Sequence, residues 1–215
     1  MAILTTVSQK ELLRVAQVCY EGKYARISLA SLGSEGFTTE SLVSSWDTIK
    51  ISGNGYTDFR GLISTGSYDT GDARYEMPEL IAEFTAVNTG YAFNTVYVVI
   101  GTPSATINIA SAELADNVAT IETSTNHGFT AGNAVVIAGA TNSVFNGTYI
   151  IASTPSNTAF TYAKTNANIA NASSVGTSAE IIEEDYLHSI IQESPSVVLA
   201  PAQTVTYNVQ FCTDD

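Results

Sequence analysis

Hydrophobic and polar positions alternate with a period of two along most of this chain. In 79–87, Leu80, Ala82, Phe84 and Ala86 fall on one side and Glu79, Ile81, Glu83 and Thr85 on the other, the pattern of a half-buried strand. YARISLAS at 24–31 alternates in the same way, and so does Thr204 to Cys212, with Val205, Tyr207, Val209 and Phe211 on one face. A further strand is predicted from Leu187 to Glu193. NTVYVVIG at 94–101 is apolar on both faces, which predicts a central strand buried on both sides. Helical spacing occurs in two places. Over 8–20, Ser8 and Glu11 form a capping box, Leu12, Val15, Ala16 and Cys19 share a face, and Gly22 stops the run. Over 38–47, TTESLVSSWD predicts a short amphipathic helix with Leu42, Val43 and Trp46 turned inward.

The pattern changes near Thr102. Charges thin out, and short apolar runs are broken by His127-Gly128, Gly132-Asn133, Asn146-Gly147 and Pro155-Ser156. This is the pattern of a compact antiparallel β-module, with strands predicted at 106–110, 117–123, 134–138, 147–153 and 158–163. NANIANASSVGTS at 166–178 is polar and of low complexity, and reads as a loop or linker. Beyond it the chain again resembles the first hundred residues. A discontinuous first domain, 1–103 with 181–215, is therefore expected to carry an inserted module at 104–180, since exposed loops tolerate insertions. The alternative is one continuous β-protein. In either case the fold class is mainly β.

Of 215 residues, 45% are hydrophobic and only 13% charged, against the roughly 25% charged that is usual. The surface must then be wetted largely by hydroxyls and amides. The net charge is −13. No basic face is visible for phosphates, which argues against nucleic acid and against an anionic membrane surface. The acidic excess serves solubility or a basic protein partner. Cys19 and Cys212 stand at opposite ends as a terminal staple or as two buried thiols, without metal-ligand spacing around either. MAILTTVSQKELL lacks the charged segment and apolar core of a secretory signal, and no apolar run approaches the ~20 residues that span a bilayer. Synthesis in a cytoplasm is expected.

Little of the chain reads as chemistry. His127 sits in a turn, where the expected role is to satisfy backbone groups; His188 alternates with apolar residues in a strand. Neither has a partner at a telling spacing, and Gly53-Asn54-Gly55 lacks the rest of a phosphate loop. Asp69, Asp72 and Glu76 share a loop-rich segment without calcium-loop spacing. Glu183-Glu184-Asp185 reads as a solvated charge run. Tyr56, Phe59, Tyr68 and Tyr75 lie in or beside turns. Each reads as strand-edge packing, and the segment as a whole as a subunit contact, tyrosine being favoured where one end is buried and the other wet. No catalytic, cofactor-binding or metal-binding residue is assigned, and an enzyme is not expected.

Two resemblances accompany this reading. The order T-x-HGF-T-x-G, then G-A-T-N-x-x-F-NGTY and F-T-Y within 119–162, resembles the small β-modules that recur in bacteriophage virion proteins. The flanking segments ARISLAS, SSWDTIKISGNGYTDF, ARYEMPELIAEFTA, GYAFNTVYVVIG and YLHSIIQESPSVVLAPAQTVTYNVQFCTDD resemble virion proteins of tailed phages, including those of cyanobacteria. Their ending is similar to the N-terminal attachment domains of tail fibres. The resemblance implies an antiparallel β-sandwich (jelly-roll or Ig-like) with an N-terminal helix and an inserted small β-barrel or β-sandwich. It implies a virion structural protein of the tail (adaptor, fibre or baseplate), with capsid decoration or a glycan-binding host-recognition module as alternatives. The partners implied are other virion proteins, further copies of the chain, a trimer first among the oligomers, and a host-surface glycan. It implies no cofactor.

Overall fold

The structure, a computed structural model, describes residues 20–34, 37–38, 40–53, 56–69, 74–87, 89–185, 187–209 and 211–213. The helix expected over 8–20, with Cys19, lies outside these residues apart from Tyr20, and so do the turn residues 54–55 and 70–72. The protein is mainly β with antiparallel pairing throughout the described strands. It divides into two compact units, Met1–Gly101 with Glu183–Asp215, and Thr102–Ile182.

In the first unit, β1 (Tyr24–Ala30) lies between β2 (Phe59–Leu62) and β6 (Tyr91–Pro103), and β14 (Ser189–Leu199) lies on the other side of β6. Ala25 pairs with Ile100, Ile27 with Val98 and Leu29 with Val96. These six side chains share one face, and all belong to a single buried core. A second layer closes that core: β5 (Leu80–Thr85) paired with β15 (Thr204–Val209). Ala82, Phe84 and Ala86 point into it, and Ile81 is exposed on the far side. The two-layered arrangement follows from alternation, because each strand has one apolar face to bury. A small third sheet joins β3 (Ser67–Asp69), β4 (Arg74–Glu76) and β16 (Cys212–Thr213).

Strand β6 is buried on both faces, as its sequence predicts. Tyr97 and Val99 form a second apolar cluster with Ala30, Leu187 and the residues of α1 (Val43–Thr48). This helix is shorter than expected. Val43 and Trp46 turn inward, whereas Leu42, 46% exposed, takes an extended backbone and is not part of the buried face. β14 runs past the predicted end at Glu193 to Leu199, with a register shift between Gln192 and Val197. Pro195 falls in that irregular stretch, where a missing N–H is tolerated at a sheet edge.

The second unit is a closed six-stranded barrel. Its strands are β7 (Ile107–Ala115), β8 (Val118–Thr123), β11 (Ala159–Ala163), β10 (Gly147–Ser156), β9 (Ala134–Ala138) and β13 (Thr177–Glu183), which pairs back onto β7. Two expectations fail here. Residues 166–178 are not all loop: β12 (Ile169–Ser173) pairs with the second half of β7, and β13 begins at Thr177. Pro155-Ser156 is not a turn either, because β10 continues through Ser156 with two register shifts against β11. Bulges accommodate a proline that a regular ladder would reject. The β7–β8 hairpin turns on Asp116 (φ 51°) and Asn117 (φ 64°), the left-handed pair of a two-residue turn.

The barrel has its own core, built around Ile121, Val135, Phe145, Phe160 and Tyr162. Its two chain ends lie together: the Ser104 amide donates to the Glu180 carbonyl at 2.7 Å, and the Glu180 amide to the Ser104 hydroxyl at 3.1 Å. Residues 102–182 expressed alone are therefore expected to fold cooperatively, with a β-type circular dichroism spectrum and dispersed amide resonances. A disordered spectrum from that fragment would contradict the autonomy of its core.

Candidate functional site

The chain's distinctive motifs staple the barrel. In Asn126-His127-Gly128-Phe129, the His127 ring is buried and Nδ1 accepts from the Phe129 amide at 2.8 Å. Nε2 must then carry the proton, and it faces the carbonyls of Ser156 and Ala159, both at 3.2 Å. In Phe145-Asn146-Gly147-Thr148-Tyr149, Phe145 is buried and the Asn146 side chain accepts from the Ala140 amide at 2.9 Å. The Tyr149 hydroxyl folds back to donate to the Asn146 carbonyl at 2.8 Å, and its ring stacks on Tyr162 at 4.0 Å. Lys164, the one Lys or Arg of 102–182, lies 3.0 Å from that hydroxyl. The residues that make the motif recognisable therefore face inward and are occupied.

The expected contact residues separate into two pairs. Tyr56 is half-buried: its ring stacks on Phe84, and its hydroxyl accepts from the Leu29 amide at 2.7 Å and donates to Asp58 at 2.9 Å. Phe59 packs against the same core. Tyr68 and Tyr75 sit opposite each other in the β3–β4 ladder. His188 is exposed, with its ring against Tyr20 and Phe211. Partial desolvation lowers its pKa, and Glu184 opposes the shift.

The densest chemistry is a cluster that sequence reasoning missed. Arg26 points from β1 away from the main core, with a side chain only 3% exposed. Its Nη1 and Nη2 donate to the two oxygens of Asp47 at 2.9 and 3.3 Å, and Nε donates to Glu183 at 3.0 Å. Asp58, 6% exposed, sits 3.6 Å from Arg26, 3.0 Å from Lys50 and 3.6 Å from Arg60. Arg60 also reaches Glu183 at 3.6 Å, and Tyr97 donates to Asp47 at 2.7 Å. Three cations thus neutralise three carboxylates, and the residues come from β1, α1, β2, β6, the segment between α1 and β2, and the end of β13. Burial opposes the Arg26 charge, but Glu183 and Asp47 outweigh it and hold its pKa above the usual value. Burial is the largest cause that raises the pKa of Tyr97 and of Tyr56, and the charge of Asp58 adds to the rise at Tyr56.

Burial would raise the pKa of Asp58, but Lys50, Arg26 and Arg60 together lower it below the ordinary 3.8. The Asp58 contribution to stability is therefore fully present above that ordinary value and is lost as pH falls through the lower folded-state value. Urea denaturation of the first unit at pH 7 and pH 3 should show this loss, and Asp58→Asn should flatten the dependence.

Among the described residues, no group of three or more His, Cys, Asp or Glu side chains is placed to hold a metal ion, and no helix is long and apolar enough to cross a membrane. No known family model matches the chain, and no curated protein matches it in sequence.

Proposed function

We propose that this protein is a structural component of a bacteriophage virion, a tail-associated adaptor, fibre or baseplate protein that works by protein–protein assembly, in copies of itself with a trimer first among them. The observation that carries the reading is that the reactive side chains brought together by the fold are engaged in holding it. His127 closes a turn, and the Arg26 cluster ties separate segments together around a buried guanidinium. Large apolar side chains such as Val198 (71% exposed) and Val175 (69%) remain outside, where assembly contacts would use them. The resemblance of the motifs to phage virion modules supplies the setting.

Capsid decoration is the second reading, and the same features support it. A glycan-binding module calls for exposed aromatic platforms, but Phe129, Phe145, Phe160 and Tyr162 of the barrel are buried and Tyr149 is half-buried against Tyr162. A specific antibody on intact particles, located by electron microscopy, tests the proposal. Label at the tail end supports the adaptor, and label over the head moves the protein to the capsid. Particles whose dissociated proteins also fail to react would end the virion reading.

A further inference from the structure

Helix α1 is weak by itself. It has six residues, no side-chain cap at Leu42 and no acidic residue in its first turn, and isolated helices need roughly 12–15 residues to be even marginal in water. Its place in the fold therefore depends on what it touches. Trp46 is fully buried, with its ring 5.5 Å from that of Tyr97. The Val43 amide donates to the Asp185 carbonyl at 2.7 Å. Asp47, on the same helix, is gripped by both Nη atoms of Arg26 and by the Tyr97 hydroxyl. Beyond the helix, backbone bonds from Ser31 to Ile49 and from Ile51 to Leu29 fasten the following segment to β1. The helix thus has a firm base at 49–51 and an ionic catch at Asp47.

Beneath it lies an apolar cluster separate from the main core. Ala30, Tyr97 and Val99 share the outer face of β1 and β6 with Leu187, whereas the main core occupies the opposite face. We propose that α1 is a lid clasped to β1 through Arg26, and that protonation of the clasp carboxylates releases it, uncovering Ala30, Tyr97 and Val99 while the main core stays closed.

The groups that face Arg26 determine the direction. Carboxylates approach it from α1 (Asp47), from the segment before β2 (Asp58) and from the end of β13 (Glu183). Lys50 and Arg60 stand behind those carboxylates, and Lys23 pairs separately with Glu184. Tyr97 and Tyr56 are phenols and stay neutral in acid. Asp47 and Glu183 are 37% and 27% exposed, so protons reach them without prior unfolding. Protonation of Asp47 and Glu183 removes the ionic catch and leaves Arg26, a buried cation, with only Asp58 at 3.6 Å, an arrangement costly enough to drive the guanidinium towards water. The buried residues of the main core itself carry no carboxylate or ammonium, so acid changes the charge of none of them.

Trp46 is the sole tryptophan of the chain, so its fluorescence reports the lid alone. Acrylamide quenching and the emission maximum should be followed from pH 7 to pH 2.5 on the full chain, with hydrogen exchange of peptides from β1 and β6 measured in the same samples. The expected result is a severalfold rise in quenching and a red shift while β1 and β6 keep their protection. Asp47→Asn should show raised quenching already at pH 7. Trp46 that stays shielded to pH 2.5, or that becomes accessible only as β1 and β6 lose protection, would overturn the proposal. The wild-type titration stands without the variant, so misfolding of Asp47→Asn leaves the test intact.

Discussion

Arg26→Ala is expected to lower the stability of the first unit by about 3–5 kcal/mol, the range for removing one partner of a buried ion pair. The size follows from what is left behind. Asp58 is almost fully buried and would keep Lys50 and Arg60, but Asp47 would lose its two hydrogen bonds from Arg26, and Glu183 its close partner at 2.9 Å. Arg26→Lys should recover only part of the loss, because an ammonium keeps the charge without the planar fork that engages both oxygens of Asp47. Urea denaturation monitored by hydrogen exchange of β1 and β6 peptides reads the first unit apart from the lid. A loss below about 1 kcal/mol, the usual worth of an exposed pair, would mean that the cluster is solvated and that its buried geometry is wrong.

This cluster also shows where sequence reading stops. The strand around it is legible: YARISLA alternates, and its neighbours pair in the register that places Ala25, Ile27 and Leu29 on one face. What the pattern does not reveal is that the other face is buried as well, which makes Arg26 an interior residue. Its partners stand 21, 32 and 157 positions away along the chain, and no spacing rule connects charges brought together by tertiary packing. One signal is present. In a chain with only eight Lys and Arg, a cation within an alternating strand followed by the small residues Ser28 and Ala30 is unusual, and Ser28 is fully buried.

The same limit explains the errors in the barrel. Residues 166–178 are polar because β12 presents four of its five residues to solvent, and it pairs at a sheet edge where little apolar pattern is required. Composition distinguishes loops from buried strands far better than from exposed ones. Pro155 misleads for a related reason, since a bulged ladder admits a residue that a regular one excludes. The role of His127 in a turn is legible because its cause is local: Phe129, two positions on, supplies the amide that fixes the ring.

Gly176→Ala is expected to destabilise the barrel by about 3 kcal/mol or more, and to leave the first unit unchanged. The estimate joins two costs, strained backbone at about 1–3 kcal/mol and forced overlap in a packed region at typically a further 1–3. Gly176 has φ +119°, outside the range that side chains ordinarily adopt, and an added Cβ would stand 2.7 Å from the Ala138 carbonyl oxygen, the Ala140 amide nitrogen and the Gly139 carbonyl carbon. All three are backbone atoms, so no side chain can swing away. The position matters because Gly176 links β12 to β13, and its carbonyl accepts from the Ile109 amide of β7 at 2.9 Å. The barrel closes there, so a shift of the chain at this point loosens the β7–β13 seam. Gly128→Ala is the informative control: it too has positive φ (+67°), but its Cβ would meet nothing within 4 Å, so only the backbone strain should appear. Thermal denaturation of the 102–182 fragment carrying each change separates the two costs, and equal losses from both would show that close packing at Gly176 contributes nothing.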